Sequence, residues 1–162
     1  MKTNSAFNRK FAYISILFLF LNFFGLYLGV YFTGDGVPSD WYQTLNKAPW
    51  TPPGWVFGFA WTSIMICFAF YLAILFLEKT NRKRNVITYA IQWILNLSWN
   101  PLFFYFHEMG IAMIILILLL VVLLYLLFEN YSTLKISSLL LLPYILWLTV
   151  ACSLNAYTLI YN

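Results

Sequence analysis

The chain has 162 residues, of which 63% are hydrophobic and only 9% are charged, and its mean hydropathy is +0.81. Soluble globular domains carry roughly 25% charged residues, so this composition excludes that class and indicates an integral membrane protein. The net charge of +4 matters through its distribution, because the placement of Lys and Arg sets the orientation of a membrane protein.

Five apolar segments are long enough to form membrane-spanning helices. A hydrocarbon core of about 30 Å requires about 20 helical residues. The segments cover residues 11–32, 55–77, 86–106, 110–128 and 136–160 and, with their short connections, use nearly all of the chain. Residues 111–128 are an unbroken hydrophobic run, whereas the strands of a membrane barrel alternate. The sequence therefore predicts an all-α bundle of five transmembrane helices in a single domain, residues 1–162.

The first predicted helix carries a pair of glycines. At 11–32 it exceeds the apolar core of a signal peptide and lacks a small-residue cleavage pattern, which predicts a retained span. Gly25 and Gly29 have the spacing that lets two helix backbones approach closely in lipid. Two interpretations stay open for this pair: packing inside the bundle, or contact with a second copy in a homodimer.

The basic residues fall almost entirely on one side of the predicted topology. Eight of the nine share that side: Lys2, Arg9, Lys10, Lys79, Arg82, Lys83, Arg84 and Lys135. Only Lys47 lies on the other. Because Lys and Arg are enriched in cytoplasmic loops, we predict a cytoplasmic N-terminus, with the 33–53 loop and the C-terminus outside. The basic run at 81–84 is interpreted as this topology signal, so no nucleic-acid partner is predicted.

The loop after the first helix is rich in tryptophan and proline. Residues 41–61 contain four of the seven tryptophans, together with three of the six prolines. Prolines fix backbone φ angles and reduce the entropy lost on ordering, which favours an ordered lid over something buried in the bundle. The alternative is that Trp41, Trp50 and Trp55 form an interfacial belt at headgroup level.

The third predicted helix is the polar one. One of its faces carries Trp93, Asn96, Asn100, Phe103 and His107. Amide side chains at bilayer depth are costly without partners, so this face is expected to look into the bundle or a cavity. Hydrogen bonds between helices and recognition of a ligand both explain the amides. Pro101 favours the second explanation mildly, because a proline frees a backbone carbonyl.

The last two predicted helices differ in character. The fourth is apolar on every side, which suits lipid or a second subunit, and it is expected to carry no chemistry. One face of the fifth carries Pro143, Trp147, Ala151, Leu154 and Asn155. A bulky indole one turn from a small alanine creates a flat surface beside an empty space, a shape that a flat ligand could use. Ordinary packing of large against small residues is the alternative.

The sequence offers no catalytic or metal-binding constellation. His107 is the only histidine, which excludes bis-histidine haem ligation within one chain, and we predict a solvated loop residue. All five acidic residues are predicted at helix ends or in loops, which argues against a proton-coupled pump. Cys67 and Cys152 lie in separate predicted helices and are interpreted as buried thiols. What remains is an aromatic cavity with two amides, suited to a large planar hydrophobic ligand.

Three blocks of the sequence carry a distinctive pattern. They are Trp41-Tyr42 through Leu45-x-Lys47-x-Pro49-Trp50-x-Pro52-Pro53 with Trp61, then Asn96-x-x-Trp99-x-x-x-Phe103-Phe104, then Leu142-Pro143-Tyr144-x-x-Trp147-x-x-x-Ala151-x-x-Leu154-Asn155. In this order, over essentially the whole chain, they resemble the translocator protein family, also called tryptophan-rich sensory proteins or peripheral benzodiazepine receptors.

This resemblance implies a five-helix bundle, often dimeric, that binds porphyrins, sterols and synthetic isoquinoline or benzodiazepine-type ligands in a pocket closed by the first loop. The pocket it implies contains Tyr42, Pro52, Trp61, Asn96, Trp99, Asn100, Phe103, Trp147, Ala151 and Leu154. No cofactor is required, since porphyrin is the ligand, and the implied partners are the lipid bilayer and a second copy of the chain. Light-dependent breakdown of protoporphyrin is also implied, for which Trp61 and Trp147 match the family's two indoles. We expect these indoles to face each other across the ligand.

The chain departs from the family pattern in two places. Tyr157 is not followed by the basic residue of the family's sterol motif, so cholesterol recognition by that route is not expected. The proline that usually follows the loop lysine directly is one place later, at Pro49, which predicts a different local turn.

Three ligand-related functions are consistent with these features, and a small membrane scaffold that binds no ligand is a fourth option. A membrane receptor or binding protein for tetrapyrroles comes first, followed by a transporter of tetrapyrroles or sterols and then by a light-dependent porphyrin-degrading enzyme. The sequence shows no internal repeat or pair of broken helices, which disfavours alternating access.

Overall fold

The structure is a computed structural model that describes residues 2–33, 36–78 and 80–162. Its helices are α1 (Lys2–Phe32), α2 (Asp40–Thr44), α3 (Gly54–Leu77), α4 (Arg82–Asn100), α5 (Met109–Leu134) and α6 (Leu142–Tyr161). A π-helix, Pro101–Tyr105, continues α4, and a 3-10 helix, Lys135–Leu141, leads into α6. The predicted all-α bundle of five long helices is confirmed, and α2 is a single short helix in the first loop.

The helix bounds differ from the predicted ones mainly at the polar ends. α3 begins one residue before the predicted segment 55–77, whereas α1 starts well before residue 11 and α5 continues past residue 128. Hydropathy marks only the apolar part of a helix, while polar residues with good helix propensity extend it beyond that part. Glu129 therefore lies within α5, where it pairs with Arg84 of α4. The expectation that Glu129 sits at a helix end is wrong.

Pro101 changes the type of helix rather than ending it. A proline has no N–H to donate to the carbonyl four residues earlier. The backbone responds with a π-helix, in which the Phe106 N–H donates to the Pro101 carbonyl at 2.9 Å. Isolated π-helical turns are often found at functional sites, and Phe103 and Phe104 of this turn both line the cavity described below.

The five long helices pack in a ring. α1 contacts α3 and α4, α3 contacts α6, and α5 lies between α4 and α6. By length and composition, three of the described helical stretches could cross a membrane: Phe7–Phe32, Gly54–Leu77 and Met109–Tyr161, the last of which holds both α5 and α6. α4 is less apolar because its inner face carries amides, whereas its outer face presents exposed Ile87, Ile91 and Ile94.

Hydrogen bonds across the bundle use several of the buried polar side chains. The Gln92 amide donates to the Tyr144 hydroxyl at 2.9 Å, and that hydroxyl donates to Asn96 Oδ1 at 2.9 Å. The Tyr89 hydroxyl donates to Asn22 Oδ1 at 3.0 Å. Buried polar groups are costly unless they are paired. These bonds link α4 to α6 and to α1, and Asn96 therefore serves contact between helices.

Gly25 and Gly29 pack inside the bundle, which decides between the two interpretations of this pair. A Cβ built on Gly25 would lie 2.6 Å from Nε1 of Trp93, and one built on Gly29 would lie 2.6 Å from Nδ2 of Asn100. Both distances are far below van der Waals contact, so α4 occupies the space that a larger residue would need. This face of α1 is covered by the chain itself and is not free for a second copy.

α5 is apolar all round but does not face lipid on every side. Its inner positions are buried in the core: Ala112, Leu116, Leu119, Leu123 and Leu126. Its outer positions, such as Ile114 and Val121, are exposed. The expectation that α5 suits only lipid or a second subunit is therefore wrong. Its hydropathy could not separate the two faces, because lipid and a packed core are equally apolar solvents.

Apart from Lys47, the described cationic residues lie at the end of the bundle opposite the first loop. α1 starts there, α3 and α4 are joined there, and Lys135 links α5 to α6 there. Lys79 lies outside the described residues. The cytoplasmic N-terminus stays a prediction.

Candidate functional site

Residues 36–53 form a lid over the other end of the bundle, and aromatic contacts attach one side of it to the π-helical turn after α4 and to His107. The Trp41 ring stacks on the His107 ring with 3.9 Å between their centroids. Tyr42 packs against Phe104 with centroids 5.5 Å apart. His107 is exposed, as predicted, and its φ of 58° turns the chain between the π-helix and α5.

Hydrogen bonds attach the other side of the lid to α6. The Trp50 indole N–H donates to Ser153 Oγ at 3.2 Å. The Asn46 backbone N–H donates to Asn162 Oδ1 at 2.9 Å. Trp55 is 72% exposed at the start of α3 and suits an interfacial position. Trp41 and Trp50 therefore hold the lid in place, while Trp50, at 54% exposed, and Trp55 both have the exposure that the belt interpretation requires.

A cavity of about 520 Å³ lies beneath the lid. This volume falls within the range of small-molecule sites, about 300–1,000 Å³. α1, α3, α6, the lid and the α4 helix with its π-helical turn form the walls, and α5 contributes none of the lining residues. The aromatic lining residues are Tyr42, Phe57, Trp61, Trp99, Phe103 and Phe104.

Most of the site residues implied by the sequence line this cavity. Seven of the ten do so: Tyr42, Trp61, Trp99, Asn100, Phe103, Ala151 and Leu154. They come from four separate elements, so only the tertiary structure brings them together.

The other three, Pro52, Asn96 and Trp147, do not line the cavity. Asn96 accepts the hydrogen bond from Tyr144, and Pro52 lies just ahead of α3. Trp147 packs edge-on against Phe57, with centroids 5.3 Å apart, and lines a separate groove on the outside of α3 and α6. In this structure the Trp61 and Trp147 indoles therefore belong to different surfaces.

The aromatic wall is held rigidly. Trp99 stacks on Phe103 with centroids 5.3 Å apart and 19° between the ring planes. The Trp99 indole N–H donates to Asn155 Oδ1 at 3.4 Å, and Asn155 Nδ2 donates to the Met109 carbonyl at 3.0 Å. Trp61 meets Tyr144 edge-on at 5.9 Å. Stacked and edge-on pairs of this kind fix ring orientation, so the wall presents flat surfaces of constant direction.

Lys47 and Asn100 are two of the polar side chains that line this mostly apolar space. Lys47 is the only charged side chain among the described lining residues, and its Nζ lies 4.8 Å from the centre of the Tyr42 ring. Burial raises the pKa of the Tyr42 hydroxyl, so the phenol stays neutral at physiological pH. Asn100 has no side-chain hydrogen-bond partner within the described part of the chain. The described lining thus combines aromatic walls with one cation and two amides, of which Asn155 is already bonded to Trp99 and Met109.

Several lining residues were not anticipated from the sequence. On α1 they are Leu26 and Val30, just after it comes Thr33, and on α3 they are Gly54, Phe57, Gly58 and Thr62. A sequence signal for the α3 residues exists. Small residues recur at every fourth position, at Gly54, Gly58 and Thr62, and leave one face of α3 without large side chains. No such sequence signal exists on α1, because an apolar residue that faces a cavity has the same hydropathy as one that faces lipid.

The site is suited to binding. No group of three or more His, Cys, Asp or Glu side chains that could hold a metal ion occurs in the described ranges. Cys67 and Cys152 are free thiols, as predicted, but each is half-buried rather than fully buried. What the geometry provides is a walled, mostly apolar space for a flat hydrophobic molecule.

Comparison with known proteins agrees with this architecture. Residues 16–161 match the TspO/MBR family. The chain is 38% identical over 142 residues to the tryptophan-rich protein TspO of Chlorobaculum tepidum, covering 81% of this chain and 87% of that protein. It is 31% identical over 119 residues to the tryptophan-rich sensory protein of Cereibacter sphaeroides, covering 73% and 74%. It is 30% identical over 143 residues to the translocator protein of Bos taurus, covering 85% and 83%.

Proposed function

Because this chain belongs to the TspO/MBR family, we propose that it is a membrane receptor that binds porphyrins and related flat hydrophobic molecules in the cavity beneath its lid. A sensory or binding role in the membrane follows from the family, whose members include proteins named for sensing and for translocation. The proposal adds the chemical class of the ligand.

The observation that carries the proposal is the lining of the cavity. A protoporphyrin is a flat aromatic ring system with carboxylate groups along one edge. Stacked Trp99 and Phe103, with Trp61, supply apolar faces of matching chemistry. Lys47 supplies a cation for the carboxylates, and the Asn100 amide, which has no partner among the described residues, can bond another polar edge. Lys47 also donates to Gln43 Oε1 at 3.0 Å, and a ligand without acidic groups would gain no ion pair with it.

Titration of the reconstituted protein with protoporphyrin IX tests the proposal. We expect saturable quenching of tryptophan fluorescence, because Trp61 and Trp99 lie in the cavity wall. Trp61→Phe should remove a larger share of the quenching than Trp55→Phe, whose indole is exposed at the start of α3. Quenching that rises linearly without saturation, or that is lost equally in both variants, would contradict binding in this cavity.

A second prediction concerns the charge of the ligand. Lys47→Met should weaken binding of protoporphyrin IX about 10-fold, since a hydrogen bond to a charged group contributes about 1.5 kcal/mol. Protoporphyrin IX dimethyl ester, which lacks the carboxylates, should bind both proteins equally. Isothermal titration in the same detergent measures the affinities.

The matched control for this prediction is Lys83→Met, because Lys83 is an exposed lysine at the end of the bundle opposite the lid. It should leave the affinity for both compounds unchanged. If Lys47→Met weakened the acid and the ester alike, Lys47 would act on the fold of the lid and not on the ligand's charge.

A further inference from the structure

Among the lining residues that the long helices contribute, the exposed ones lie on one side of the cavity, and the lid adds exposed Val37 and Pro38. On α4 with its π-helical turn and on α6, every lining residue is half-buried or buried. On α1 and α3 the lining includes exposed residues, among them Val30, which is 63% exposed, with Gly58 and Thr62. The cavity therefore opens between α1 and α3 and is closed on the side of α4 and α6.

The gap arises where small residues replace large ones in the contact between α1 and α3. Deeper in the bundle these antiparallel helices touch, since the Asn22 side chain donates to the Met65 carbonyl at 3.2 Å. Continuing that register towards the lid by about two turns brings Val30 near Gly58. Among the described residues, no atom beyond the glycine's own surroundings lies within 4 Å of a Cβ built on Gly54 or Gly58.

The gap faces the membrane, whereas the lid closes the end of the bundle. α1 and α3 both lie in stretches that are long and apolar enough to cross a membrane. The exposed outer residues of α1 beside the gap, such as Tyr27 and Tyr31, are large and apolar or aromatic. The lid, by contrast, is bonded to α6 through Trp50 and Asn46 and stacked on the α4 side through Trp41.

We propose that the gap between Val30 and Gly58 is a lateral portal through which a flat hydrophobic ligand passes directly between the bilayer and the cavity. This inference rests on the proposed function. A molecule of this kind dissolves mainly in the hydrocarbon of the membrane, so a side opening gives it access without crossing water. The glycine at position 58 keeps the portal open because any side chain there would project into the gap.

Binding kinetics of protoporphyrin IX test the portal. The full chain in phosphatidylcholine nanodiscs is mixed with the porphyrin, and tryptophan quenching is followed by stopped flow. Gly58→Leu should slow dissociation about 10-fold, a barrier of about 1.4 kcal/mol, and should slow association by at least as much, because Gly58 also lines the cavity. Slower dissociation distinguishes a passage from a binding contact, since the loss of a binding contact would speed dissociation.

Matched variants separate an effect on the gap from a general effect of the larger side chain. Gly110→Leu makes the same substitution at a glycine that also has open space but does not line the cavity, and it should change neither rate. Val30→Trp narrows the gap from the facing helix and should slow both rates as Gly58→Leu does. Ile114→Trp, on the exposed side of α5, is its control.

Two results would overturn the portal. The first is unchanged rates in both Gly58→Leu and Val30→Trp, or a loss of affinity in both without slower dissociation. The second is faster exchange in Asn162→Ala, which frees the lid, together with unchanged rates in Gly58→Leu, because the ligand would then pass beneath the lid. Failure of the proposed function itself is distinguishable, since the unaltered protein would then show no saturable quenching.

Discussion

Replacing Ala151 with phenylalanine is expected to lower the affinity for protoporphyrin IX by about 70-fold. Ala151 lines the cavity on α6, and a phenyl ring there would occupy space that the ligand needs. Displacing about 100 Å² of apolar ligand contact removes about 2.5 kcal/mol of binding free energy. The ring enters existing open space, so the thermal unfolding temperature should change little.

The measurement for this prediction is equilibrium quenching of tryptophan fluorescence, with thermal unfolding followed in parallel. Ile160→Phe on the same helix is the control, since Ile160 is 73% exposed and does not line the cavity. It should bind with unchanged affinity. Unchanged affinity in Ala151→Phe would show that the ligand binds elsewhere, and the groove beside Trp147 would become the candidate site.

Replacing Gly25 with leucine is expected to destabilise the bundle by about 2–4 kcal/mol. Overpacking a tight contact costs about 1–3 kcal/mol, and a lost hydrogen bond adds about 1 kcal/mol. The new Cβ would lie 2.6 Å from Nε1 of Trp93, whose N–H donates to the Leu21 carbonyl at 3.2 Å. The indole cannot move aside without breaking that bond, so α1 must separate from α4.

This destabilisation appears in the thermal unfolding temperature in detergent, which should fall by roughly 5–10 °C. Gly110→Leu is the matched control, because it gains the same helix propensity in open space and should not lower the unfolding temperature. Gly25→Leu combined with Trp93→Ala should lose less stability than the two single changes together, since removing the indole makes room for leucine. Equal unfolding temperatures for Gly25→Leu and Gly110→Leu would refute the contact between α1 and α4.

The polar residues of α4 show how far sequence patterns reach. Asn96 and Asn100 lie on one predicted stripe, and their cost in a membrane predicted that this face looks inward. Whether each amide meets a helix or a ligand was left open. In the structure Tyr144 of α6 reaches Asn96, whereas Asn100 lies against Gly29 and the cavity. The difference depends on which residue another helix places opposite, and periodicity within one helix does not contain that information.

The order of the lid could be predicted from its own residues, whereas its contacts with the rest of the bundle could not. Prolines and tryptophans in the loop predicted order, because restricted backbone angles and large aromatic surfaces lower the cost of folding it. The stack of Trp41 on His107 and the bond from Trp50 to Ser153 join residues far apart in sequence. Such pairs form only once the bundle has brought the ends of α4 and α6 beside the loop.

By itself the sequence determined the membrane environment and the number of long helices, because bilayer thickness sets helix length and hydropathy is a local property. Through a resemblance carried by three motifs it also marked ten site residues, of which seven line the cavity. Tertiary structure alone decided that Gly25 and Gly29 pack against α4, that Trp147 faces outwards and Trp61 inwards, and that the cavity opens beside Gly58. The physical reason is that lipid, core and cavity are all apolar, so hydropathy assigns a residue to the membrane without assigning it to one of the three.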